Sequence, residues 1–266
     1  YGGCQGGFAG RVNRKTHETR HIQPKAGAAE KLRLNWNTPL YLSPSQKGTL
    51  YIGAQFLFRS RDQGQSWERI SPDLTTNDPE KQKQEQAGGI TVDNSAAEMH
   101  TTIYSISESP KNPRVLWIGT DDGNVQLTRD GGKSWKNVGA NLPGVSTGRW
   151  FSWVEASRFD VATAYVAVDR HPFGDMQPYL FRTADYGASW TRVAGPDQGL
   201  RGYVHVLKED SVNPDLLFVG TELGLWISTN RGAAWAQFKP ANFPAVAVRD
   251  IALQTRDNDL VLATHG

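Results

Sequence analysis

The sequence predicts an all-β chain made of successive four-stranded antiparallel sheets. Three observations predict it. An eight-residue pattern recurs four times, as SRDQGQSW at 60–67, TRDGGKSW at 128–135, TADYGASW at 183–190 and STNRGAAW at 228–235. Three short apolar runs precede each copy in the same order. The chain also carries 27 Gly and nine Trp in 266 residues, a usage that suits many tight turns between short, aromatic-rich strands.

The runs give each unit its strands. The first (strand A) is read in NTPLYLS, TIYSISES, SWVEAS and YVHVLKE. The second (strand B) is LYIGAQ, VLWIGT, AYVAVD and LLFVGT, and the third (strand C) is FLFR, VQL, YLFR and LWI. Polar turns, usually with proline, join A to B, as in SPKNPR and DSVNPD. The eight-residue box joins C to a short strand D that starts at its tryptophan.

A physical account of the box is available from its residue types. Asp62, Asp130 and Asp185 place a carboxylate where it can accept backbone N–H groups of a hairpin turn, and Asn230 can do the same. Gly64, Gly132, Gly187 and Gly232 supply positive φ. Ser60, Thr128, Thr183 and Ser228 add a hydroxyl to the turn. Trp67, Trp135, Trp190 and Trp235 can lie against the neighbouring sheet. The box therefore reads as a structural staple, and tolerance of Asn230 favours that over direct ligand chemistry.

Four strand-like runs in each repeat, spanning about 40–50 residues, give units of blade size. The boundaries read as a remnant of a preceding blade at 1–30, a blade at 31–71, a long polar insertion at 72–99, and blades at 100–139, 150–194 and 201–239. Residues 245–266 start a further blade. The insertion reads as a solvated loop or as a cap on a binding surface. A closed propeller of this class needs about six or more blades, and the chain starts at Tyr1 and stops at Gly266 in mid-pattern. It is therefore expected to be a fragment, completed by the rest of its polypeptide or by a partner chain.

With its four boxes and flanking strands, the chain resembles the Asp-box (BNR-repeat) β-propellers: sialidases, xyloglucanase-type glycoside hydrolases and the sortilin (VPS10) domain. It is most similar to large exported bacterial propellers described as sortilin-like or BNR-repeat glycosyl hydrolases. NWNTPLYLSP, FRSRDQGQSWERISPDLTTNDPEKQ, GTDDGNVQLTRDGGKSW, GYVHVLKED and RDNDLVLATHG carry that resemblance, which runs from about Lys31 onward. YGGCQGG looks like a modified form of a Tyr-Gly-Gly-x-Gln-Asp-Asn-Gly stretch of the family, without its Asp-Asn pair. The resemblance implies a secreted, periplasmic or cell-surface location, and a substrate face formed by B–C turns and D–A connections.

On that face the sequence places carboxylates and aromatics. The catalytic candidates for work on a glycoside are Asp121, Asp122, Asp169, Asp175 and Glu222, since such hydrolysis needs a carboxyl pair. The ligand-binding candidates are Arg149, Trp150, His171, Tyr203 and His265. Simpler readings stand beside these: Asp121-Asp122-Gly123 as a tight hairpin turn, the His171 loop as a longer turn, Arg149 with Trp150 as a packing pair, and Met99-His100 as entry to a core strand. Exposed turn carboxylates have neither the burial nor the like-charged neighbour that keeps a general acid protonated. No shielded pair and no glycoside hydrolysis by the isolated chain are expected.

Other classes are excluded more directly. A net charge of +2, from 29 basic and 27 acidic residues, lacks the basic excess of a nucleic-acid binder. No run approaches the roughly 18 apolar residues of a membrane span. Cys4 is the only cysteine, so no internal disulfide forms. No Arg-Ile-Pro stretch, phosphate loop, zinc spacing or EF-hand is present, and no metal or cofactor is expected. The reading is an extracytoplasmic binding or scaffold module of a larger sortilin-like protein, with protein or polysaccharide as ligand; the alternative is part of a glycoside hydrolase.

Overall fold

The computed structural model describes residues 1–25, 27, 30–83, 86, 99–145 and 148–265. It comprises two compact units, Tyr1–Asn137 and Val138–Gly266. The described residues form six antiparallel sheets and short 3-10 turns, with no α-helix among them. This is the β-propeller segment that the repeats predict.

The first unit holds three sheets. β1 (Gly2–Cys4), β2 (Phe8–Val12) and β3 (Thr19–His21) form the first. β4 (Leu40–Leu42), β5 (Leu50–Gly53), β6 (Leu57–Ser60) and β7 (Glu68–Arg69) form the second. β8 (Ile103–Glu108), β9 (Leu116–Thr120), β10 (Val125–Thr128) and β11 (Lys136–Asn137) form the third. In the second unit, β12 (Trp150–Ala156), β13 (Ala164–Asp169), β14 (Leu180–Thr183) and β15 (Thr191–Ala194) make the fourth sheet. β16 (Val204–Glu209), β17 (Leu217–Thr221), β18 (Gly224–Ser228) and β19 (Ala236–Gln237) make the fifth. β20 (Ala247–Gln254) and β21 (Asp259–His265) pair as the sixth.

Strand order equals chain order in every four-stranded sheet, so each is a simple meander. The A–B and C–D turns then share one end of a sheet, and the B–C turn lies at the other. Buried side chains pack sheet against sheet inside each unit. Tyr51, Leu57, Ile70 and Leu74 meet Ile103, Ile106, Leu116 and Ile118. In the second unit Tyr165, Ala167 and Leu180 meet Val204, Leu207, Leu217 and Val219, and Val206 and Leu225 meet Val248 and Ile251.

The box geometry repeats closely. The Ser or Thr hydroxyl accepts the box glycine N–H at 2.7 Å for Gly64, 2.9 Å for Gly132 and Gly187, and 2.8 Å for Gly232. The same hydroxyl donates to Asp62, Asp130, Asp185 or Asn230. That acidic or amide oxygen accepts the N–H four residues on, at 2.9 Å in every copy. In the three Asp copies Ser66, Ser134 and Ser189 also donate a hydroxyl to the second carboxylate oxygen. The fourth copy has Ala234 there, and Asn230 has an amide nitrogen that needs no such donor. The Asp–Ser and Asn–Ala pairs are thus matched. The serine hydroxyls and then the backbone donors hold Asp62 and Asp185 down at about 2, and Asp130 lower still.

Each box also grips other backbone. The indole N–H of Trp67 donates to Ile22 O at 2.6 Å, and that of Trp135 to Ile70 O at 3.1 Å. Trp190 donates to Val138 O at 3.0 Å and Trp235 to Val193 O at 2.8 Å. The box glycine lets the two backbones approach. A Cβ on Gly132, at φ +98°, would lie 2.6 Å from Ile70 O, so no other residue fits.

A second tie lies at the same end of the sheets. Buried Glu108, at the end of β8, accepts the hydroxyls of Ser43, Ser45 and Tyr51 from the second sheet and its A–B turn. Glu209, at the end of β16, accepts Ser157 Oγ and Arg158 N from the fourth sheet's A–B turn. Burial, then the charge of Glu108, push the Tyr51 hydroxyl above its ordinary range.

Trp235→Phe keeps a ring but removes the donor to Val193 O. We expect a loss of roughly 1–3 kcal/mol of stability, read from urea unfolding, with Trp235→Ala costing more because it also leaves a cavity.

Candidate functional site

The B–C end of the first unit is built around the turn after β9. Asp121 and Asp122 are 4 % and 6 % exposed. That corrects the expectation of wet turn carboxylates. Asp121 accepts Thr102 N at 2.8 Å, Thr102 Oγ1 at 2.6 Å and Asn35 Nδ2 at 3.1 Å. Asp122 accepts Thr76 N and Thr76 Oγ1, both at 2.7 Å, and Thr120 Oγ1 at 2.6 Å. Gly123 at φ +120° closes the turn.

The cause of burial is remote in sequence. Residues 72–83, the start of the polar insertion, fold over this turn. Asn124 Nδ2 and Gln126 Nε2 donate to Leu74 O, and Lys81 Nζ donates to Asp122 O at 3.1 Å. Arg33 fastens the same stretch through Asp73 Oδ2 at 2.6 Å. The rest of the insertion, at 84, 85 and 87–98, lies outside the described residues. His100 is half-buried entry chain, with Nε2 at 3.2 Å from Asp121 O. The next residue, Thr101, stands at φ +59° with its hydroxyl buried, a strained conformation for a β-branched side chain.

Burial dominates the electrostatics. It pushes Asp121 up to about 7, with the Asp122 charge adding to it and the Thr102 and Asn35 hydrogen bonds opposing it. Burial likewise holds His100 below its ordinary value. Asp121 is thus a carboxyl that gives up its proton only as pH approaches neutrality, but its side chain is 1 % exposed.

In the second unit the B–C and D–A chain brings together a chemically richer group. Asp169, at the end of β13, accepts His171 N at 2.9 Å, and its two oxygens lie 2.7 and 2.8 Å from His171 Nδ1. The His171 loop is a 3-10 turn, His171–Phe173, and this pairing makes it more than a longer connection. The His171 ring stacks on Tyr203, with centroids 4.5 Å apart at 16°. Tyr203 meets His205 edge-on at 4.8 Å. His205 Nε2 lies 3.1 Å from Glu222 Oε2, and Arg249 Nη2 lies 3.4 Å from the same oxygen.

The protonation pattern follows. Burial holds His205 low and therefore neutral, so its Nε2–H donates to Glu222. Burial alone would raise Glu222, but the His205 and Tyr203 hydrogen bonds and the Arg249 charge hold it below the usual carboxylate range. Burial, then the hydrogen bond to Glu222, push the Tyr203 phenol up to about 12. The result is an ionised carboxylate beside a neutral aromatic surface.

The remaining candidates do not join either group. Asp175 takes Arg170 at 3.2 Å and the Tyr179 hydroxyl at 2.8 Å. Arg149 donates to Gly139 O at 2.8 Å, so it is tied to backbone. Trp150 begins β12, and His265 ends β21 at the surface. The reading of candidate residues missed His205, Arg249, Asn35 and Thr102. Only His205 left a signal: it lies two positions from Tyr203, so strand alternation puts both on one side. Among the described residues no three His, Cys, Asp or Glu side chains converge on a metal position.

Fold and site together define a β-propeller segment whose candidate carboxylates are all hydrogen-bonded within their own units. No protein-family model matches the chain. It is 27 % identical over 84 residues to a vacuolar protein sorting/targeting protein 10 of Aspergillus flavus, covering 31 % of this chain and 6 % of that protein. It is 30 % identical over 90 residues to an oligoxyloglucan-reducing end-specific xyloglucanase of Emericella nidulans, covering 34 % of this chain and 10 % of that one. The matched stretches thus span a small part of these relatives. Among solved structures it is similar to an ancestral GH74 enzyme (TM-score 0.62, 15 % identity, 89 % of this chain and 29 % of that one). It is also similar to YCF48 bound to D1 peptide (TM-score 0.56, 11 % identity, 94 % and 67 %).

The raised Asp121 gives a pH dependence with a defined sign. Between about 4 and 7 the folded chain holds a proton that the unfolded chain has lost. This group's stabilisation is fully present below that window and is lost as pH rises through about 7, at no more than about 1.4 kcal/mol per pH unit. Asp121→Asn cannot ionise, so urea midpoints measured from pH 5 to 8 should lose that slope.

Proposed function

We propose that this segment is a binding and scaffold module of a larger, extracytoplasmic, sortilin-like propeller protein. Its ligand is protein or polysaccharide, held at the Asp169–His171–Tyr203–Glu222 group. Its eight-residue boxes are structural Asp-boxes, and its missing blades come from the same polypeptide or a partner chain. It takes no cofactor and no nucleic acid. One observation carries this reading: all five candidate carboxylates are occupied by donors of their own unit. Beside Asp169 and Glu222, the half-exposed His171 ring stacks on buried Tyr203 and is offered as the ligand contact, with Tyr203 as its support. Similarity to a propeller solved with a peptide supports a protein ligand.

A second reading is part of a glycoside hydrolase. Asp121, protonated near neutrality beside Asp122, has the energetics of a general acid, and the stretch similar to a xyloglucanase supports it. Its burial opposes it, because a general acid must reach the glycosidic oxygen.

The test is to assay the purified chain, and the longer protein that contains it, on polysaccharides and sialosides, and to measure ligand capture in parallel. We expect no turnover. Any ligand captured on a polysaccharide or protein panel should bind at least tenfold more weakly to Tyr203→Ala and His171→Ala. Turnover that disappears in Asp121→Asn or Asp169→Asn would establish the hydrolase instead.

A further inference from the structure

A cavity of about 410 Å³ opens in the second unit under the chain that leads from β19 to β20. Its floor is Trp226, 5 % exposed, whose indole N–H is spent on Thr221 Oγ1 at 3.1 Å. One wall is Phe238 set edge-on against Phe243, with centroids 5.3 Å apart at 82°. Leu223, 52 % exposed, forms the lip. Pro240 and Pro244 lie in the covering chain and limit its freedom.

The charge around this cavity is one-sided. Its lining includes Arg201 and Lys239 and no acidic residue. Among the described residues neither cation has an ion-pair or hydrogen-bond partner. Several other cations of the unit are paired with an acid: Arg170 with Asp175, Lys208 with Glu155, Arg231 with Asp215 and Arg249 with Glu222. The exposed Phe238 ring next to two unmatched cations calls for an occupant that is apolar and anionic at once. Phe238 at 41 % and Leu223 at 52 % exposure are also poor choices for a surface with no partner.

We propose that this cavity is a peptide-docking site for an extended segment in which an aromatic side chain neighbours carboxylates. The ring would enter over Trp226 between Phe238 and Leu223, and the carboxylates would lie at Arg201 and Lys239. The proposal rests on reading the segment as a binding module, but it sets the peptide at a place distinct from the His171–Tyr203 group.

The test uses a fluorophore-labelled peptide, acetyl-Asp-Phe-Asp-Phe-Asp-amide, and the purified chain, read by fluorescence anisotropy. We expect saturable binding that weakens at least tenfold when Phe is replaced by Ala or Asp by Lys in the probe. Arg201→Glu with Lys239→Glu should weaken it at least tenfold too, and Phe238→Ala severalfold; all three positions are exposed, and far-UV circular dichroism checks the fold. Recovery of binding by the Lys-containing probe in the charge-reversed variant would establish the contact. No binding of the Asp-Phe probe at millimolar protein, or equal binding by wild type and charge-reversed variant, would overturn the proposal. Loss only in Tyr203→Ala would move the peptide to the other group, which sinks this site and leaves the binding-module reading standing.

Discussion

The donation of each box indole to a backbone carbonyl fixes how the sheets stack. Apolar faces alone attract without direction, and two sheets packed only by Tyr51, Leu57, Ile106 and Ile118 could slide. The bond from Trp135 to Ile70 O, with Gly132 pressed on the same carbonyl, allows one placement. The Asp, Ser and Thr of the box hold the hairpin in the shape that presents the indole. Glu108 and Glu209 add a second directional tie at the same end. The turns at the opposite end of each sheet vary in length and chemistry.

That division explains what the sequence shows and what it hides. The box is local: its hydrogen bonds span two to four residues, so Asp130, Gly132 and Trp135 announce their geometry by spacing. Strands follow from apolar runs between turn residues for the same reason. The Asn–Ala match of the fourth box was equally visible in STNRGAAW, but its meaning needs the position of the serine hydroxyls in the other three. The polar face is different. Asp121 and Asp122 look like any hairpin turn until Leu74, Thr76 and Lys81 fold over them, from over 40 residues upstream. Burial is a tertiary property, and it is the main cause of the raised Asp121 pKa, with the Asp122 charge adding to it.

His205 and Arg249 show the same limit from another side. His205 lies in an alternating strand, YVHV, and reads as an ordinary half-buried residue. Its importance comes from Glu222, which belongs to the B–C turn after β17, and from Arg249 on β20. Three chain segments must meet before the group has a charge pattern. Within it, neutral His205 and Arg249 stabilise an ionised Glu222, while buried Tyr203 supports the half-exposed His171 ring stacked on it.

Saturation of the carboxylates is the energetic argument behind the proposed preference for binding over hydrolysis. A general acid must be protonated and must touch the departing oxygen. Asp121 meets the first requirement because it is buried, and fails the second for the same reason. Exposing it would require Thr102, Asn35 and the chain at 74–81 to release their hydrogen bonds, each costing on the order of 1 kcal/mol. Exposure would also return the carboxyl to water, where its pKa falls and the proton leaves. The two properties cannot be had together at this turn without a partner surface that replaces the lost donors. A binding face has no such conflict: donors locked on Asp169 and Glu222 keep the His171 and Tyr203 rings in place before any ligand arrives, which lowers the ordering cost of association.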